Sequence, residues 1–334
     1  MAFDMQKIKK NKPPVLAIDL GGTKVIAAII SDEGEMMARE YHRTLADEGP
    51  QPVIDQMLSV IDCLLRVKDV DLSQLHSISV AAAGAIDTER GLVTLSPNLP
   101  GWSNIPLRDI IKEKYGVNTF LINDASAAAL GEHRFGAGRG VKSLIYLTVS
   151  TGIGGGIIIN DKLYLGPCGS AGEIGHMTID VNGPRCNCGN IGCWETLASG
   201  TAVAQEAIRR ISRGERSSLT EIVEGKIENI TAEKVGVAAR GGDFLALDII
   251  AKAAVYLGVG MVNLVNIFNP EMIVVGGGMV KMGDLLLAPA RQVVWERAFQ
   301  VSAQAVRIIP AQLGDDAGVL GAATFAFQQA VIDS

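Results

Sequence analysis

Short apolar runs closed by glycine or polar turns alternate along the chain with longer stretches in which apolar residues recur three and four positions apart. The first pattern predicts buried strands and the second amphipathic helices. The run at 15–20 meets Gly21-Gly22-Thr23-Lys24 and then a second run at 25–30, so strand, glycine turn and strand are expected, with a third strand at 36–44. A helix at 52–67, a buried strand at 77–82, a helix at 106–115 and a strand at 119–122 leading into an alanine-rich helix from 125 follow. The opening design then returns: a strand at 143–149, a turn at 150–156 and a strand at 157–160. Helices are expected at 197–213, 232–240 and 245–268, a strand at 272–275 running into Gly276-Gly277-Gly278, and a closing helix at 319–331. Two strand-turn-strand units in one chain imply two related α/β halves.

At 334 residues the chain is too long for one ordinary core, and two domains with a ligand cleft between them are expected. The boundaries read as a tail at 1–14, a smaller α/β domain at 15–122 with 318–334, and a larger one at 123–317. Hydrophobic content of 48% and charged content of 20% describe a globular interior, not a disordered or fibrous chain. A net charge of −6 offers no electrostatic reason for nucleic acid or an anionic membrane as partner. The basic stretch at 7–12 reads as a solvated tail. The segment 245–268 is the most membrane-like, but Asp248, Lys252, Asn263 and Asn266 interrupt it, so a buried helix with an Asp248–Lys252 pair on its wet face is expected. With no apolar export segment at the amino end, the expected compartment is the cytosol.

Three of the five cysteines fall close together, Cys186, Cys188 and Cys193, with His176 upstream. Three thiolates and an imidazole are the ligand set of a closed structural zinc site, and the interspersed glycines let a short loop at 176–193 wrap one centre. Clustering in a Gly- and Asn-rich loop argues against core packing, and an odd cysteine count argues against a disulfide framework. Cys63 and Cys168 read as ordinary reduced thiols. Three glycine turns, at 21–24, 151–156 and 276–278, expose backbone amides suited to phosphate. The Rossmann fingerprint does not apply, because 152–156 leads into a strand and not a helix. Asp19 reads equally as a turn cap or as a carboxylate holding hydrated Mg²⁺. Asp124 reads as a helix N-cap or as a general base at the carboxyl end of a strand. Substitution by Asn separates the two roles, since Asn caps about as well.

The Asp19-x-Gly-Gly-Thr-Lys turn, Asn123-Asp124, Glu173-Ile174-Gly175-His176 and Cys186-x-Cys188-x₄-Cys193-x-Glu195, all in order, resemble the ROK family of sugar kinases and repressors from Val15 onward, bacterial glucokinases most of all. The resemblance implies a two-domain actin-like (hexokinase/ribonuclease H-like) ATPase fold and ATP-dependent phosphorylation of a hexose 6-hydroxyl. By this likeness Asp124 is the base. Asn123, Gly84, Asn98, Glu173, His176 and Glu195 bind the sugar. Asp19, Gly21, Gly22, Thr23, Lys24, Thr151, Gly152, Gly276, Gly277 and Gly278 handle Mg-ATP, and His176 also joins the three cysteines on structural Zn²⁺. One departure from the family pattern is Ala83 where proline usually precedes the glycine of the first-domain loop. N-acetylglucosamine, N-acetylmannosamine, mannose and fructose are alternative acceptors, and polyphosphate an alternative donor. A repressor would carry a winged helix-turn-helix ahead of the first strand, for which about fourteen residues are too few, so the enzyme is favoured. A homodimer or tetramer is expected by analogy. Removal of zinc is expected to loosen Glu173 and Glu195, with less effect on ATP.

Overall fold

The computed structural model describes residues 12–67, 70–96 and 98–329. The basic stretch apart from Lys12, Pro97 and the last two residues of the expected closing helix lie outside them. β1 (Val15–Leu20), β2 (Lys24–Ile30) and β3 (Met36–Arg43) form an antiparallel meander. Helix α1 (Pro50–Val67) follows, burying Val53, Ile54, Met57, Val60, Ile61 and Leu64, the spacing that predicted it. β4 (Ser77–Ala82) then pairs in parallel with β1 and is buried at every residue, as expected of a strand covered on both faces. A small antiparallel sheet of β5 (Ala85–Asp87), β6 (Leu92–Leu95) and β7 (Ser103–Ile105) was not foreseen. After α2 (Leu107–Tyr115), strand β8 (Thr119–Asn123) joins β4 in parallel and runs into α3 (Asp124–Phe135).

The second sheet repeats the first. β9 (Leu144–Val149), β10 (Ile153–Ile159) and β11 (Lys162–Leu163) are antiparallel, and β12 (Met272–Gly276) and β13 (Arg307–Pro310) add in parallel. The orders β3-β2-β1-β4-β8 and β11-β10-β9-β12-β13 are the same topology, as the repeated strand-turn-strand pattern predicts. The expected turn at 150–156 is shorter than read, because β10 begins at Ile153 and takes in Gly154, Gly155 and Gly156. These glycines admit a neighbouring segment: a Cβ on Gly155 would overlap Ile174, and one on Gly172 would come within 2.5 Å of the Gly155 carbonyl. The helix expected at 197–213 is two, α4 (Glu195–Ala198) and α5 (Gly200–Ser212), broken at Ser199, whose hydroxyl caps α5 through the Ala202 amide. Helices α6 (Leu219–Ile222), α7 (Ala232–Arg240), α8 (Phe244–Phe268), α9 (Asp284–Arg297), α10 (Gln300–Ala305) and α11 (Ala317–Gln329) complete the chain. α8 is long and apolar enough to cross a membrane, yet thirteen of its residues are buried in the protein core with α5, α7 and α9. Asp248 pairs with Lys252 at 2.8 Å as read, and also with Arg210.

Contacts divide the chain into two units, 1–135 with 165–170 and 315–334, and 136–164 with 171–314. The boundary therefore falls after Phe135, not at 122, and the segment 165–170 returns to the first unit. The cause lies in α3 and α11, which touch backbone to backbone: a Cβ on Gly131 would overlap the Ala317 carbonyl, and one on Gly321 the Ala127 carbonyl. A helix seated that closely on α11 moves with the unit that holds α11.

Candidate active site and metal centre

In the first unit the glycine turn after β1 is closed by the Gly21 amide on the Lys24 carbonyl at 2.9 Å and pinned by the Thr44 hydroxyl on the Gly21 carbonyl at 2.7 Å. Gly22 has no room for a side chain, since a Cβ would lie 2.6 Å from the Asn98 carbonyl. Gly84, at φ +110°, presses on the same segment from Leu95 and Ser96. Its carbonyl accepts from Asn123 Nδ2 at 3.0 Å. Gly22, Asn98, Gly84 and Asn123 thus form one contiguous set.

At the end of β8 the structure separates the two roles that local sequence left open. Asn123 Oδ1 accepts from the Ser126 amide at 3.0 Å, the geometry of a helix cap. Asp124 stands one residue inside α3, its Oδ1 accepting from the Ala125 amide at 2.8 Å and from Asn123 Nδ2 at 3.1 Å. Capping therefore falls to Asn123, and Asp124 is oriented without being the cap. Asp19, at the end of β1, is half-buried against α11, where Gly318 leaves the space a Cβ would need. Burial, then the Asp124 and Asp315 carboxylates, push its pKa up to about 7, with Lys24 opposing them. Lys24 Nζ donates to Asp315, and Arg39 to Asp316 at 2.8 Å, partners that sequence reading missed. The acid- and glycine-rich run 314–318 ahead of a helix was the signal available for them.

In the second unit Glu173 precedes a 3₁₀ turn, Ile174–His176, that lies on β10. His176 Nδ1 is 3.6 Å from Cys186 Sγ, while its Nε2 faces Glu173 Oε2 at 3.9 Å. Desolvation raises the Glu173 pKa, His176 opposes it and the Glu195 carboxylate adds to it. Cys188 and Cys193 Sγ are 3.7 Å apart, and the four donor atoms of His176, Cys186, Cys188 and Cys193 all lie within 4.8 Å of one another. A tetrahedron with metal–sulfur bonds near 2.3 Å and metal–nitrogen bonds near 2.0–2.1 Å has edges of about 3.8 and about 3.6 Å, so the donor set fits. Left-handed Gly189 and Gly192 make the loop possible: the Gly189 amide closes on the Cys186 carbonyl at 2.9 Å, and a Cβ on Gly192 would overlap the Asp180 carbonyl. Burial and the neighbouring sulfurs push Cys193 up to about 12. Three thiolates this close call for a positive charge at their centre.

Glu195 Oε2 accepts from the Ile153 amide at 2.9 Å, and a Cβ on Gly152 would overlap that carboxylate. Gly277, at φ +87°, packs on the Val149 carbonyl, so Gly276, Gly277 and Gly278 lie beside the turn holding Thr151 and Gly152. The carbohydrate residues expected in this unit, Glu173, His176 and Glu195, thus adjoin or belong to the Cys/His cluster, and Glu195 also reaches the glycine turn expected to hold nucleotide.

Comparison with known proteins identifies the family. Residues 15–329 match the ROK family. The glucokinase of Thermotoga maritima is 36% identical over 313 residues, covering 94% of this chain and 97% of that protein. The crystal structure of a ROK family glucokinase from Streptomyces griseus in complex with glucose and AMPPNP is 34% identical, covers 94% of this chain and 99% of that one, and superposes with a TM-score of 0.82. The xylose repressor of Caldicellulosiruptor bescii is 34% identical and covers 94% of this chain and 78% of that protein. The two repeated sheets are those of the actin-like ATPase fold. The chain belongs to the ROK family.

Proposed function

We propose that this protein transfers the γ-phosphoryl group of ATP to the 6-hydroxyl of a hexose, glucose before others. The observation that carries the reading is the division of labour at β8 and α3, where Asn123 caps the helix and Asp124 is held for another purpose. Glucokinases aligned over nearly their whole length support the same reaction. Asp124 accepts the hydroxyl proton as the sugar oxygen bonds to the γ-phosphorus, and the bond to the bridging oxygen breaks to release ADP. Phosphoryl transfer is mainly positioning and neutralisation of charge, for which the first unit offers the Gly22 amide, Thr23 and Lys24, and the second, taken by itself, Thr151, Gly152 and the Gly276–Gly278 turn. Asp19, whose carboxyl is raised first by burial and then by the Asp124 and Asp315 carboxylates, would hold Mg²⁺, which would supply neutralising charge to the phosphates.

Asn98, Gly84 and Asn123 within the first unit, and separately Glu173, His176 and Glu195 within the second, are groups of the kind that a sugar's hydroxyls need. Zinc held by His176 Nδ1 and the three sulfurs would neutralise the thiolates and fix the loop, leaving Nε2 of the same ring for a hydroxyl. The test is a coupled assay across glucose, mannose, fructose, N-acetylglucosamine and N-acetylmannosamine, with ATP and with polyphosphate as donors. Glucose with ATP is expected to give the highest kcat/KM. If no sugar is phosphorylated the reading fails, and sugar-released binding to operator DNA would favour a repressor in its place.

A further inference from the structure

The turn between β9 and β10 has few bonds of its own beyond the Ser150 amide on the Gly152 carbonyl at 2.9 Å. Three polar groups at this turn are bonded from the chain that follows the cysteine loop. The Ser150 carbonyl accepts from the Gly200 amide at 2.7 Å, and the Thr151 carbonyl from the Thr201 hydroxyl at 2.7 Å. The Ile153 amide donates to Glu195 Oε2 at 2.9 Å. Glu195 is two residues beyond Cys193, and Trp194 between them is fully buried. The Trp194 indole lies where a Cβ on Gly260 of α8 would be, and its amide donates to the Met177 carbonyl at 2.8 Å, next to His176. From metal ligand to glycine turn the path is short and packed throughout.

We propose that Glu195 is a positioning residue for the Ser150–Ile153 turn, so that the cysteine loop braces the nucleotide side of this unit as well as the carbohydrate side. The inference rests on the kinase reading for the ligand that the turn meets. It also revises the sequence expectation that metal loss acts less on ATP than on the sugar side. A carboxylate accepting a backbone amide is a charge-assisted bond, and losing it frees the amide that fixes the end of the turn. Glycine at 152 is required for the same contact, because any side chain there displaces the carboxylate.

The experiment measures AMPPNP affinity by calorimetry without sugar, together with hydrogen exchange of the segment 147–156. The parent protein is compared with Glu195→Ala, Glu195→Gln, Gly152→Ala and a chelator-treated sample. Glu195→Ala, Gly152→Ala and chelation are each expected to weaken AMPPNP about tenfold and to speed exchange at Ile153. Glu195→Gln keeps an acceptor for that amide. It should hold AMPPNP within about threefold of the parent and restore protection, while glucose KM stays raised because the charge is gone. That split between the two substrates is one that general loosening of the fold would not produce. Parent-like AMPPNP affinity and Ile153 exchange in both Glu195→Ala and Gly152→Ala overturn the proposal. Failure of the parent to bind AMPPNP at all would overturn the kinase reading instead.

Discussion

The raised pKa of Asp19 yields a pH dependence with a definite sign. A carboxyl group displaced from 3.8 to about 7 on folding corresponds to as much as about 4 kcal/mol, at 1.36 kcal/mol per unit. Between those values the native state holds a proton that the unfolded chain has lost, so stability falls as pH rises from about 4 to about 7 and is lowest above it. The same proton competes with Mg²⁺, so affinity for Mg-ATP should rise through pH 7. Replacing Asp19 by Asn removes both effects. At pH 8 the variant should be more stable than its parent by on the order of 2 kcal/mol, less than the full displacement because the new amide must find its own partners. At pH 5 the two should converge. Urea unfolding from pH 5 to 8 measures this, and taking the difference between the two proteins cancels the titration of the cysteine loop. A flat difference across that range would refute the reasoning, and so would an Asn variant that retains Mg-ATP turnover.

Asp124→Asn should lower kcat by about 10²–10⁴ while changing stability by under about 1 kcal/mol, whereas Asn123→Ala should cost about 1 kcal/mol through the lost cap; a coupled assay and thermal melts separate them. Gly84→Ala forces φ +110° on a residue with a Cβ and drives it into the Leu95 carbonyl, so a loss of about 1–3 kcal/mol and a raised glucose KM are expected in melts and kinetics. Cys188→Ser should reduce zinc below one per chain by atomic absorption and make the 176–193 loop susceptible to proteolysis before the rest of the protein.

Where periodicity and burial coincide, the elements were legible. α1, β1, β2 and β4 stand close to where the apolar pattern put them, because each buries the apolar set that marks it. The cluster of His176, Cys186, Cys188 and Cys193 was legible for a different reason: three cysteines in one short loop are brought together by that loop. What escaped was decided by chain segments remote in sequence. Gly154–Gly156 looked like a turn because nothing local shows that Ile174 and Gly172 lie on that strand. The domain boundary was misplaced because the contact of Gly131 and Gly321 with facing backbones, not the composition of α3, assigns the helix to its unit. At 123–124 either residue caps adequately, so only the observed bonds show which one does.

The glycines of this chain then serve a purpose beyond exposing amides to phosphate. At Gly22, Gly84 and Gly152 the space of a side chain is taken by a functional neighbour: the Asn98 backbone, the Leu95–Ser96 backbone and the Glu195 carboxylate. At Gly22 and Gly152 a position expected to bind one substrate is shaped by a residue expected to bind the other, while at Gly84 both sides belong to the expected sugar set. Gly22 of the phosphate turn abuts Asn98 of the sugar set, and Gly152 of the other phosphate turn abuts Glu195. Alanine at either glycine cannot then act on one substrate alone, because relief of the overlap must move the neighbour. On the kinase reading, coupling between the two substrates is expected from the Gly22 and Gly152 contacts, each made within a single unit.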